Sequence, residues 1–227
     1  MNPFYEQDDI RIFCCDCLPE MKLMPDKKYD LAIVDPPYVE NFQAAYKMQF
    51  DSLASVRRDI EYKNWDSLVP KGDFFVELFR ISKHQIVFGG NYFIEFLRNT
   101  NCFIVWDKVN GKNNFADCEL AWTSFDTSTR MFSYRWQGFL QGDMKNKEKR
   151  IHPTQKPVAL YKWLLKKYAK PGYTIIDTHL GSGSSAIACR DLGFKLDAFE
   201  IDEEYCAGAA GRLGCEKFCK EENGLFD

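Results

Sequence analysis

The chain has 227 residues, 45% hydrophobic and 28% charged, with 30 Lys and Arg against 33 Asp and Glu for a formal charge of −3. That length supports one large domain with a full core, and the composition excludes disordered and fibrous classes. No apolar run approaches a membrane span, and Glu6, Asp8, Asp9 and Arg11 exclude a signal peptide at the start, so a cytoplasmic setting is expected.

In chain order, Ile10 to Cys15 reads as a short strand with Asp16 at its end, and Cys17 to Met24 as a short helix closed by Pro25. Leu31 to Val34 is an apolar run suited to a buried parallel strand. It stops at Asp35-Pro36-Pro37-Tyr38, where two prolines prevent continuation of strand or helix. From Val39 to Trp65 the pattern weakens into a long connection, of the kind that is usually functional or mobile. Gly72 to Lys83 has helical spacing, Gln85 to Phe88 reads as a buried strand, and Tyr92 to Leu97 as a further helix.

Cys102 to Trp106, Leu120 to Phe125 and Met131 to Trp136 read as strands, and Gln137 to Arg150 as a polar, basic loop. Pro157 to Tyr168 is an amphipathic helix with proline in its first turn. Tyr173 to Ile176 is a strand ending in Asp177, followed by a glycine turn and a helix from Ser184 to Leu192. Phe194 to Ile201 is the next strand and Glu203 to Leu213 the last helix. This alternation predicts an α/β fold with a mostly parallel sheet, in a single domain over residues 1–227.

Three stretches carry chemistry. Asp35 places a carboxylate at the carboxyl end of a buried strand, the edge where open α/β sheets bind ligands. An ordinary turn with a capping Asp and a packed Tyr would have the same local sequence. In Asp177-Thr178-His179-Leu180-Gly181-Ser182-Gly183, the missing Cβ atoms permit close approach of a ligand to the backbone. The loop lacks the Gly-Lys-Ser/Thr ending of a triphosphate cradle, and about 20 residues later Glu200 and Asp202 end a strand where ribose hydroxyls can be bound. His152-Pro153-Thr154-Gln155-Lys156-Pro157 leads into a helix.

Nine cysteines are expected as reduced thiols. Cys14 with Cys17, and Cys215 with Cys219, do not make the usual zinc-ribbon spacing, so no metal is expected. Between Ser128 and Lys170 lie eleven Lys and Arg against only Asp143 and Glu148, a basic stripe on an acidic body that suits a polyanion. For Lys162 to Lys170, a solvated helix face is the simpler explanation.

Taken in order, Asp35 to Tyr38, His152 to Pro157 and Asp177 to Gly183 closely resemble the amino-methyltransferases of DNA, specifically their permuted beta class. The resemblance runs from about Ile10 to Leu213. Gly89 to Phe93 and Glu119 to Phe125 are similar to small enzymes of this type from phages and prophages.

The resemblance implies a Rossmann-like methyltransferase fold with circularly permuted motif order and S-adenosylmethionine as methyl donor. It implies transfer to N6 of adenine in DNA, with N4 of cytosine the first alternative and an RNA or protein amide the second. A fold-retaining binding module is the non-enzyme alternative. Asp35 and Pro36 would hold the amine on the stiff turn continued by Pro37, and Tyr38 would stack on the flipped base. Asp16 would bind the adenine edge of the cofactor and Glu200 its ribose, Gly181, Ser182 and Gly183 would pass under its methionine end, and Cys17, Asp35, His179, Ser185 and Ile201 are further expected cofactor contacts. Asp177 would lie near the amino group, and Thr154, Gln155 and Lys156 near the carboxylate. His179 stands where the family usually has an aromatic ring. The basic side chains Arg130, Arg135, Lys145, Lys147, Lys149 and Arg150 are expected on DNA phosphates, with target recognition from loops at 39–64 and 126–150. A homodimer and a partner nuclease in a restriction-modification pair are both compatible with the resemblance.

Overall fold

The computed structural model of the protein describes residues 2–37, 69–111, 116–137 and 139–215. Tyr38 and the expected recognition stretch 39–64 lie outside them. The strands are β1 (Tyr5–Gln7), β2 (Ile10–Cys14), β3 (Tyr29–Val34), β4 (Ser82–Phe88), β5 (Phe103–Asp107), β6 (Cys118–Thr123), β7 (Arg130–Ser133), β8 (Trp136–Gln137), β9 (Leu140–Gln141), β10 (Thr174–Asp177) and β11 (Lys195–Glu200). The helices are α1 (Cys17–Leu23), α2 (Gly72–Ile81), α3 (Val158–Tyr168), α4 (Ser184–Leu192) and α5 (Glu203–Arg212).

Among the described residues, nine strands form one sheet in the order β1-β2-β11-β10-β3-β4-β6-β5-β7, and β8 and β9 form a separate hairpin. The block β2-β11-β10-β3-β4 is parallel throughout. β6 runs antiparallel to both β4 and β5, and β1 antiparallel to β2.

The apolar run of β3 is buried on both faces, as a central parallel strand requires. Its side chains alternate: Leu31 and Ile33 enter the core beneath α3, α4 and α5, while Ala32 and Val34 enter the core beneath α1 and α2. The result is a three-layer α/β/α sandwich. No helix among the described residues is long and apolar enough to cross a membrane.

Three local expectations change. Tyr92 to Leu97 is not an α-helix. Its backbone bonds run from Tyr92 to Gly89, Phe93 to Gly90, Phe96 to Phe93 and Leu97 to Ile94, so each turn closes over three residues. Gly90 lies against Trp122, and Phe96 stacks on Phe75 with centroids 5.2 Å apart, so tertiary contacts fix the segment in place of a helix too short to nucleate alone.

Met131 to Trp136 is not one strand. β7 ends at Ser133, and Trp136 turns inward to donate its indole N–H to the Gln155 carbonyl at 2.6 Å. β1 was not expected from the sequence; Asp8 and Asp9, at φ +51° and +63°, make the left-handed turn that folds it back onto β2.

Candidate active site

The parallel strands β2, β3, β10 and β11 deliver Asp16, Asp35, Asp177 and Glu200 at their carboxyl ends. Above that edge is a cavity of about 410 Å³. Of the residues expected to bind cofactor or substrate, Asp16, Cys17, Asp35, Pro36, Pro37, Thr154, Gln155, Lys156, His179, Gly181, Ser182, Glu200 and Ile201 line it. Asp177, Gly183 and Ser185 are buried and are not part of the lining.

Asp177 is buried and organises the loop from below. It accepts the His179 backbone N–H at 3.0 Å and the Ser185 hydroxyl at 2.5 Å. Burial pushes its pKa up to about 7 despite those two donors, and the charges of Asp35 and Glu200 add to the rise. In this structure Asp177 supports the loop from its buried position. Gly183, at φ +79°, is required by packing, because a Cβ there would lie 2.7 Å from Ala209 Cβ on α5. Gly181, at φ +53°, turns its N–H to Glu200 Oε2 at 2.7 Å.

His179 forms part of the cavity wall. Its Nδ1 is 2.9 Å from the Thr178 hydroxyl, and its ring meets Phe74 edge-on at 5.4 Å. Burial lowers its pKa to about 4, so the ring is neutral near pH 7. His152 is also brought to about 4, by burial first and then by the charge of Lys156, and it tilts against Tyr205 at 4.4 Å. The His152 Nδ1 accepts the Thr154 N–H at 3.3 Å, which assigns its ring proton to Nε2.

Gln155 holds the wall together. Its side-chain oxygen accepts the Ile151 N–H at 3.0 Å, and its amide donates to the Lys149 carbonyl at 3.3 Å. The Lys156 ammonium, which lines the cavity, donates to Asp35 Oδ2 and lies 3.3 Å from Glu119 Oε2. It also sits 4.7 Å from the centre of the Phe88 ring. The other Glu119 oxygen is 2.6 Å from Lys108 Nζ.

The two carboxylates respond differently. Burial raises the Asp35 pKa more than Lys156 lowers it, with Glu119 adding to the rise. Burial also works against ionised Glu119, but Lys156 and Lys108 together hold its pKa below the usual range. Two ammonium partners outweigh burial where one does not.

Of the expected phosphate contacts, Arg130, Arg135, Lys145, Lys147 and Lys149 are exposed. Arg150 is only half-exposed; its guanidinium covers the Trp136 ring at 4.6 Å, which makes it part of the wall's support. The loop they occupy is folded. Asp143 Oδ1 accepts the Lys145 and Asn146 N–H groups at 3.0 Å, and a Cβ on Gly142 would meet Tyr134 at 2.5 Å.

Lys108, Tyr161, Phe74, Tyr205 and Arg212 complete the site or its supports and were assigned no role from the sequence, nor was Glu119, named there only as the start of a stretch that resembles phage enzymes. Of the five, Tyr161 carried a signal, as a member of the periodic face of the helix from Pro157 to Tyr168.

The family profile described as DNA methylase matches residues 105–211, the span from β5 to α5. The type II methyltransferase M.HpaI of Haemophilus parainfluenzae is 23% identical over 92% of this chain and 75% of its own length. Among solved structures, the PvuII DNA methyltransferase, described as cytosine-N4-specific, superposes with a TM-score of 0.62 at 14% identity, over 99% of this chain and 90% of that one. M1.HpyAVI in complex with SAM gives a TM-score of 0.51 at 20% identity, over 90% of this chain and 100% of that one. These structures share the α/β fold with its mostly parallel sheet.

Proposed function

We infer that this protein is an S-adenosylmethionine-dependent DNA methyltransferase of the permuted beta class, and that its target is the exocyclic N6 amine of adenine. The observation that carries the reading is the convergence of the Asp35-Pro36-Pro37 turn, the glycine loop, Asp16 and Glu200 on one cavity. The likeness to type II DNA methyltransferases supports it. The Asp-Pro-Pro-Tyr form of the turn, which resembles adenine enzymes more often than cytosine ones, supports the choice of base.

The residues present fit the cofactor. A cavity of about 410 Å³ is within the range of small-molecule sites. Asp16 and Glu200 offer acceptors from adjacent strands to a ligand rich in amine and hydroxyl donors, and Leu18, Phe74 and Ile201 offer apolar surface. When bound, S-adenosylmethionine supplies a methyl group on a sulfonium sulfur that keeps the electrons of the broken bond.

The chain's task is to make a poor nucleophile react. An amine conjugated with its ring has a delocalised lone pair. Asp35 and the Pro36 carbonyl each accept one N–H of that amine, which turns the lone pair toward the methyl and stabilises the positive charge growing on nitrogen. The lone pair forms the new N–C bond, and one N–H proton then passes to solvent water while its electrons stay on nitrogen. The rigid turn supplies orientation, a large term in a bimolecular reaction. The target base leaves the duplex stack to reach the cavity, and the exposed basic side chains hold phosphates without reading sequence.

The test is transfer of labelled methyl from S-adenosylmethionine to DNA, followed by nucleoside analysis. N6-methyladenine is expected. N4-methylcytosine alone would reassign the base, and no incorporation into DNA would overturn the reading.

A further inference from the structure

Within the DNA methyltransferase reading on which this inference rests, we propose that Lys156 and Glu119 are positioning residues that fix the Asp35 carboxylate, occupying Oδ2 and presenting Oδ1 alone to the incoming amine. Among the described residues, the hydrogen bond to Asp35 comes from Lys156 and falls on Oδ2. Lys156 is itself buried and held from three sides, by Asp35, by Glu119 and by the face of Phe88. An ammonium fixed this way cannot swing freely between partners, so it sets the plane of the carboxylate it touches.

Glu119 has a second effect. Asp35, Lys156, Glu119 and Lys108 form a row of alternating charge. A lone ammonium beside Asp35 would neutralise it closely and make it a weak acceptor. Sharing that ammonium with Glu119 draws part of the charge away and leaves Asp35 a stronger acceptor for a developing positive nitrogen. Tyr161 of α3 and Asp177 at the end of β10 are the other titratable groups acting at this point.

The two substitutions therefore move Asp35 in opposite directions. Lys156→Met removes the cation and raises the Asp35 titration midpoint. Glu119→Gln removes the competitor for that cation and lowers it. Each shift is about one pH unit. The readout is carbon-13 NMR of aspartate carboxyls in the cofactor-free protein, with the Asp35 resonance assigned by its loss in Asp35→Asn. If Lys156→Met does not fold, the Glu119→Gln titration decides alone.

Kinetics give the second arm. Lys156→Met lowers kcat for DNA methylation about 100-fold while KM for S-adenosylmethionine stays within about threefold, and Lys156→Arg recovers part of the loss. An unmoved midpoint, or shifts of the same sign in both variants, overturns the inference. So does a raised KM for S-adenosylmethionine with kcat intact, which would assign the ammonium to the cofactor. Wild-type protein that binds S-adenosylmethionine but transfers no methyl to DNA would overturn the functional reading, an outcome separable from the titration.

Discussion

The carboxylate of Glu148 accepts a 2.8 Å hydrogen bond from the guanidinium of Arg212, 64 residues further along the chain. Arg212 also donates to the Ser182 carbonyl at 2.7 Å, and the second Glu148 oxygen accepts the Val158 N–H at 2.9 Å. One ion pair therefore ties the basic loop to the glycine loop and to the start of α3.

Both side chains are largely buried, so removing one strands the other. Arg212→Met is expected to cost about 3 kcal/mol of stability, measured by urea unfolding. It should also weaken S-adenosylmethionine binding measured by calorimetry, because Ser182 loses its anchor. A loss below about 0.5 kcal/mol would mean that the pair does not brace the site.

Gly183 and Gly181 both have positive φ but differ in surroundings. Gly183→Ala brings a Cβ to 2.7 Å from Ala209, whereas the Cβ of Gly181→Ala meets only the His152 ring at 3.7 Å. The first should cost about 3 kcal/mol and the second about 1, the latter from backbone strain alone. Adding Ala209→Gly should recover part of the Gly183→Ala loss in thermal melts and none of the Gly181→Ala loss.

Asp177 and the two cavity histidines act oppositely on stability between about pH 4 and 7. The Asp177 pKa is raised to about 7, so its contribution is fully present below the unfolded carboxylate range and is lost as pH rises toward 7. His152 and His179 are lowered to about 4, so theirs is present above the unfolded imidazole range and is lost as pH falls toward 4. Asp177→Asn removes only the first contribution. Its stability should therefore fall more steeply toward acid than wild type, in urea titrations at successive pH values; parallel curves would mean that Asp177 does not titrate in this window.

Replacing Lys145, Lys147 and Lys149 together with Gln should weaken DNA binding and flatten its dependence on log salt by roughly 0.9 for each phosphate that is no longer neutralised. S-adenosylmethionine affinity should not change. An unaltered salt slope would place the DNA on another face.

Asp35 was legible because its strand is apolar on both faces and two prolines mark its end. The glycine loop was legible because positive φ and tight packing leave a compositional trace. Glu119 left none. It is one acidic residue in a strand, and its importance comes from the antiparallel register that sets Ala121 opposite Phe88, beside the Lys156 ammonium. The hydrogen bonds of Gln155 and Asp177 within the chain were not legible either. Their partners lie on the chain itself, in contacts that only the folded backbone brings together. Tyr92 to Leu97 failed as a helix because aromatic packing against α2 decided its path.

β3 lies between β10 and β4, and Asp35 is paired with a lysine 121 positions later. During synthesis the ribosome therefore releases the carboxylate long before its lysine, its glycine loop or the strand that must slot in beside it. An emerging chain carries Asp35 on an unfinished sheet with no cavity around it. The cavity can be complete only after the chain has been made through Glu200 and folded back onto β3.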